Sequence, residues 1–131
     1  MILVDTSVWV EYLRGTGSPS HLHLRSMVQK GHPIAVTSPV IMEILAGANS
    51  DDNAVRLRDM LAFFQHLPVD GLSDFEHAAD IQRVCRSQGD TVGSLIDCLI
   101  AAVAIREDLP VLSADKDFHV IAKHTALKLA G

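Results

Sequence analysis

Residues 1–9 read Met1-Ile2-Leu3-Val4-Asp5-Thr6-Ser7-Val8-Trp9, and this stretch decides the fold. Ile2-Leu3-Val4 is a short apolar run, which predicts a buried strand. Asp5 ends it. Thr6 or Ser7 then caps a helix whose apolar stripe is Val8, Trp9, Tyr12 and Leu13 and which stops near Gly15. Near the other end of the chain the order is similar. Pro110-Val111-Leu112 predicts a strand, Ser113-Ala114-Asp115 closes it, and a short helix follows around Phe118 to Ala122.

The intervening sequence alternates in the same way. Ser18-Pro19 opens a second helix, with proline at the first helical position, and Gly31 closes it. Ile34-Ala35-Val36 predicts a strand. Ser38-Pro39 starts a helix through Leu45 towards Gly47, and another runs from about Asp51 to Gln65. Leu67-Pro68-Val69 is a candidate strand. Ser73-x-x-Glu76 matches a capping box for a helix with the buried stripe Phe75, Ala78, Ile81 and Cys85. An almost continuous apolar helix covers Leu95 to Ile105, and Ala126 to Leu129 suggests a last strand. Short apolar strands separated by helices predict an α/β fold: a central, mainly parallel sheet flanked by helices in three layers. In such folds ligand groups collect at the carboxyl ends of strands.

The 131 residues suit one domain, 1–131. No apolar run reaches the ~18 residues that would span a bilayer, and the N-terminus lacks the pattern of a secretory leader. Cys85 and Cys98 sit in apolar helical patterns and not in C-x-x-C spacing, which predicts buried thiols in a reducing cytoplasm.

Four acids stand where composition would not put them. Asp5 and Asp115 each follow an apolar strand. Glu43 is the only polar residue between Val40 and Ala46, and Asp97 the only charged one between Leu95 and Ile105. A lone carboxylate in an apolar helix is costly to bury unless something pairs with it, and neither segment contains a Lys or Arg. Each acid has a plainer reading. Asp5 and Asp115 suit helix N-caps, Asp97 suits a capping box with Ser94, Glu43 suits a bridge to a distant Arg, and Asp117 is an ordinary first-turn acid. Taken together, a cluster of carboxylates suits Mg²⁺ or Mn²⁺, and such an ion supports phosphodiester hydrolysis.

The four segments Leu3-Val4-Asp5-Thr6-Ser7, Met42-Glu43-Ile44-Leu45, Asp97-Cys98-Leu99-Ile100-Ala101-Ala102 and Leu112-Ser113-Ala114-Asp115-Lys116-Asp117-Phe118 occur in the order and spacing of a known family. The chain resembles PIN domains, and VapC toxins among them, along nearly its whole length. The resemblance implies a catalytic quartet of Asp5, Glu43, Asp97 and Asp115, with Asp117 as a fifth metal ligand. It also implies Mg²⁺- or Mn²⁺-dependent RNA cleavage, a homodimer and a VapB-type antitoxin. Ser113 stands where these toxins often carry Thr, and both offer a hydroxyl.

A net charge of −5 argues against a polyanionic partner. Without the five site acids, however, eleven acidic residues face eleven basic ones, so RNA affinity would rest on the metal and a local rim such as Arg14 and Lys116. His21 and His23 point to opposite sides of a helix, and Trp9 and Tyr12 have the spacing of core residues. Three alternatives stand beside the nuclease: an Asp-dependent phosphatase, a phospho-acceptor domain using Asp70, and a PIN-like binding module without catalysis.

Overall fold

The computed structural model describes residues 1–131. β1 (Ile2–Val4) leads into α1 (Thr6–Arg14) and α2 (Pro19–Gln29). β2 (Ile34–Thr37) is followed by α3 (Ser38–Ala46) and α4 (Asp51–Leu61), and β3 (Gln65–Leu67) by α5 (Gly71–Ser87) and α6 (Leu95–Arg106). β4 (Val111–Leu112) and α7 (Lys116–His124) complete the order. The strands form one parallel sheet in the order β3-β2-β1-β4, so the α/β expectation of a short-stranded sheet flanked by helices is met.

This order has a direct consequence. The crossovers from β1 to β2 and on to β3 advance in one direction, and right-handedness puts α1 to α4 on one face of the sheet. The return from β3 to β4 runs the other way and puts α5 and α6 on the other face. The reversal falls between β1 and β4, the place where such sheets open a crevice at the strand ends. Val4 pairs with Leu112, so Asp5 and Ser113 leave the sheet side by side.

The core explains why the strands can be so short. Leu3, Val4, Ala35, Val36 and Val111 are fully buried in the sheet. Trp9 packs edge-on against Tyr12 and Phe64, which places it in the core, not on a base-stacking surface. α6 buries every residue from Asp97 to Ala104. Cys85 and Cys98 are free and buried, and burial pushes the Cys98 thiol up to about 11.

Several expected boundaries shift. α4 ends at Leu61, and β3 is Gln65–Leu67 where Leu67–Val69 was expected. α7 is longer at both ends than the predicted 118–122. The last strand shrinks to a single bridge between Leu129 and Val111. The α5 stripe holds at Ala78, Ile81 and Cys85, but its head is the buried Asp74, and Phe75 is 56% exposed. Nor does the Ser73–Glu76 box form. Asp70 is the N-cap residue, Ser73 Oγ donates to the Asp70 carbonyl, and the Asp74 carboxylate accepts the Asp70 N–H at 2.7 Å.

Candidate active site

Asp5 sits at the carboxyl end of β1 and is 2% exposed. Its side chain makes no helix-cap hydrogen bond. It accepts instead from Ser7 Oγ at 2.8 Å and from Ser113 Oγ at 3.0 Å. Each serine gives its one proton to Asp5 and receives a backbone N–H in return: Ala114 N–H to Ser7 Oγ and Asp115 N–H to Ser113 Oγ, both at 2.9 Å. Two of these four bonds, Ser113 to Asp5 and Ala114 to Ser7, stitch the β1–α1 turn to the β4–α7 turn. Ser7, expected as a cap, therefore belongs to the site.

Thr6, the other expected cap, also points elsewhere. Its Oγ1 donates to Glu43 Oε1 at 2.6 Å and brings the α3 acid to the end of β1. Asp97 lies at the third position of α6, where its N–H is capped by Ser94 Oγ at 3.2 Å. That is one half of the expected capping box, and the carboxylate takes no part in it. Asp115 does cap α7, accepting from the Asp117 N–H at 2.9 Å. For Asp115, capping and a place in the acidic cluster coincide. Oxygens of Asp97, Asp115 and Asp117 lie within 4.8 Å of one another.

The electrostatics join the acids into one group. Burial pushes the Asp97 carboxyl up to about 7, and the charges of Asp115, Asp5, Asp117 and Glu43 push it the same way. A first-turn position should favour the anion through the helix dipole, so burial and repulsion outweigh that pull. Burial also raises Asp5 to about 6, against the two serine bonds and with a push from Asp115. Six ion pairs occur in the molecule, and none uses any of these five acids. A salt bridge from a distant Arg to Glu43 is therefore not formed. An all-oxygen donor set, crowded and without a protein cation, fits a hard divalent ion such as Mg²⁺ or Mn²⁺.

The sequence profile of the PIN domain matches residues 2–124. The chain belongs to the PIN-domain family. It is 44% identical over 131 residues to VapC ribonuclease Mb1587 of Mycobacterium bovis, covering 99% of this chain and 98% of that protein. The same figures hold for ribonuclease VapC11 of Mycobacterium tuberculosis. Its fold is similar to the crystal structure of VapBC2 from Rickettsia felis bound to a DNA fragment from its promoter. The TM-score is 0.76, with 19% identity over 99% of this chain and 98% of that one.

The acids of this PIN domain converge from four separate segments. Asp70, the candidate for a phospho-acceptor, starts α5 and bonds Asp74 through its N–H. His21 accepts from the Gly17 N–H and lies against the Tyr12 ring. Arg14 shares a cleft with Glu43, and Lys116 is exposed between Asp115 and Asp117. Sequence reasoning missed Asp74, which is buried alongside Asp5 and Asp97. The available signal was its place at i−4 from Ala78, at the head of the α5 stripe.

Proposed function

We propose that this PIN domain is a metal-dependent endoribonuclease that hydrolyses RNA phosphodiester bonds and acts as the toxin of a VapBC-type pair. The observation that carries the reading is the convergence of Asp5, Glu43, Asp97, Asp115 and Asp117 with no protein cation among them. The full-length VapC relatives support it.

Asp5, Glu43, Asp97 and Asp115 would hold Mg²⁺ or Mn²⁺, with Asp117 as a fifth ligand. When bound, such an ion acidifies water and offsets charge on the leaving oxygen. The chain's own part is positioning. Thr6 fixes the Glu43 carboxylate, and Ser7 and Ser113 fix both oxygens of Asp5. Glu43 or Asp5 orients or deprotonates the attacking water. Arg14 and Lys116 form a cationic rim for the phosphate backbone, working in the cytoplasm as one 131-residue domain.

The antitoxin has a seat beside the site. A cleft of about 420 Å³ is lined by Val10, Leu13, Ile44 and Leu57, with Glu43 and Arg14 at its wall. An apolar VapB-type segment in this cleft would bring a basic side chain to the carboxylates. On the other side, Phe75, Ala79, Leu95, Ile96 and Leu99 line an apolar hollow, which suits the homodimer.

End-labelled RNA incubated with Mg²⁺, Mn²⁺ or EDTA tests the chemistry. Cleavage with either metal, none in EDTA, and products with 5′-phosphate and 3′-hydroxyl ends are expected. Ends of the 2′,3′-cyclic type would overturn hydrolysis, because they need the RNA 2′-hydroxyl as nucleophile. Co-expression with a cognate VapB-type antitoxin should silence cleavage, and a fully active complex would remove the toxin–antitoxin reading.

A further inference from the structure

The loop between α5 and α6, residues 88–94, holds none of the five acids, yet it is fastened at several points around them. Asp90 is anchored to α5 through its N–H to the Cys85 carbonyl at 3.0 Å. Its carboxylate accepts from His124 Nε2 at 2.6 Å and lies 3.6 Å from Lys123 Nζ. The His124 side chain is only 12% exposed. Both partners belong to the last turn of α7, the helix whose first turn carries Asp117. Further along, Val92 is buried and its carbonyl accepts from Gln82 Nε2 at 3.4 Å. A Cβ at Gly93 would stand 3.9 Å from Asp117 Oδ2. The next residue, Ser94, caps α6 on the Asp97 N–H.

These contacts close a ring. From Asp97 the chain runs back through Ser94 and the loop to Asp90, crosses to His124, and returns down α7 to Asp117 and Asp115. α6 and α7 also pack directly on each other, and at the carboxylates of their first turns like charges push them apart. The Asp90 carboxylate, bonded to His124 and facing the Lys123 ammonium, holds the ring shut.

We propose that the Asp90–His124 pair is a positioning device for the acidic cluster. It sets the spacing between the first turns of α6 and α7, and through that spacing the affinity for a divalent cation. The inference rests on the metal reading above. Geometry at the ligands governs affinity, and partners outside the ligand shell are typically felt as ~10–100-fold.

The test titrates the whole chain with Mn²⁺ alone by calorimetry, without RNA, and records Tm in EDTA. His124→Ala and Asp90→Ala should each weaken Mn²⁺ binding about tenfold, and the double variant should be no weaker than either single one. His124→Gln keeps a donor and should recover part of the affinity. Lys128→Ala, which removes the exposed pair with Asp108, should bind Mn²⁺ like wild type. If the His124 and Asp90 variants lose Tm in EDTA but bind Mn²⁺ as wild type does, the pair is structural only and the proposal falls. Should His124→Ala fail to fold, Asp90→Asn, which keeps shape and an acceptor but not the charge, decides: unchanged Mn²⁺ affinity overturns the proposal. No Mn²⁺ binding by wild type overturns the metal reading and this inference together. Equal binding by all variants overturns this inference alone.

Discussion

Asp74 and Asp97 are both buried acids in the opening turns of a helix, and α6 touches both, yet their carboxyls are displaced in opposite directions. Burial raises each. At Asp74 the Arg106 guanidinium, with Nε and Nη2 at 3.0–3.2 Å, and the Asp70 N–H overcome that push and hold the group below its ordinary value. At Asp97 no cation answers, and four neighbouring acids add to the push. The same helix thus ends in Arg106, which completes a structural ion pair, and begins at an acid left unpaired. Burial alone does not distinguish structure from function. The partner does: a guanidinium holds Asp74 ionised, whereas Asp97, without one, meets the cost of burial by a raised affinity for a proton.

The largest effect expected from this contrast is on cleavage. Asp97→Asn keeps the shape and removes one repelling charge. RNA cleavage should fall at least ~100-fold, since even partners outside a metal's ligand shell are felt on that scale. In EDTA at pH 8 the variant should melt no lower than wild type, and it should gain little from Mn²⁺. A loss of stability equal in EDTA and Mn²⁺ would make Asp97 helix punctuation and dissolve the contrast.

At the paired site the outcome should be reversed. Arg106→Ala strands the Asp74 carboxylate in the interior and should cost about 3 kcal/mol, read as a lower Tm by the same amount with and without metal. Cleavage per folded molecule should stay at the wild-type level. A variant that folds normally but binds Mn²⁺ poorly would show that the two regions are not independent.

Proton linkage sharpens the comparison further. Asp5 and Asp97, raised to about 6 and about 7, keep protons that the unfolded chain has already released above roughly pH 4. The folded state binds more protons, so metal-free stability should fall by several kcal/mol as pH rises from about 4 to about 8, and level off above. Asp74 works the other way. Its stabilisation is full above the ordinary carboxylate value and is lost as pH falls below it. Denaturant melts in EDTA across this range should show a negative slope that Asp97→Asn reduces. Mn²⁺ at ~100 times its dissociation constant should restore roughly 2.7 kcal/mol at neutral pH.

The smallest effect separates capping from chemistry on α6. Ser94→Ala removes the cap on the Asp97 N–H and should cost about 1 kcal/mol, the same in EDTA and in Mn²⁺. A cost that appears only with metal would move Ser94 into the site.

Much of this was legible in the sequence, for identifiable reasons. Ile2-Leu3-Val4 and Val111-Leu112 announce themselves as strands because both faces of a central parallel strand are buried. Glu43 and Asp97 stand out because neither apolar helix segment offers a Lys or Arg to pair with the charge. What was misread depended on contacts distant in sequence. Thr6 and Ser7 look like caps until Glu43 and Ser113 come within reach. Phe75 looks like the head of the α5 stripe because the eye prefers a ring to an acid, and only Arg106, 32 residues away, makes Asp74 the better core residue.

By itself the sequence determined the alternation of strands and helices, the polar exceptions within them, and hence the fold class and four site candidates, with Asp117 added only by the resemblance to PIN domains. Periodicity and burial cost are local properties and can be read along a chain. The tertiary structure alone decided the order β3-β2-β1-β4, which sets β1 beside β4 and Asp5 beside Ser113. It also decided which buried acid meets a guanidinium and which meets other acids. Electrostatic energy depends on distance in space, and residues 97, 5 and 115 acquire their mutual distances only when the sheet closes.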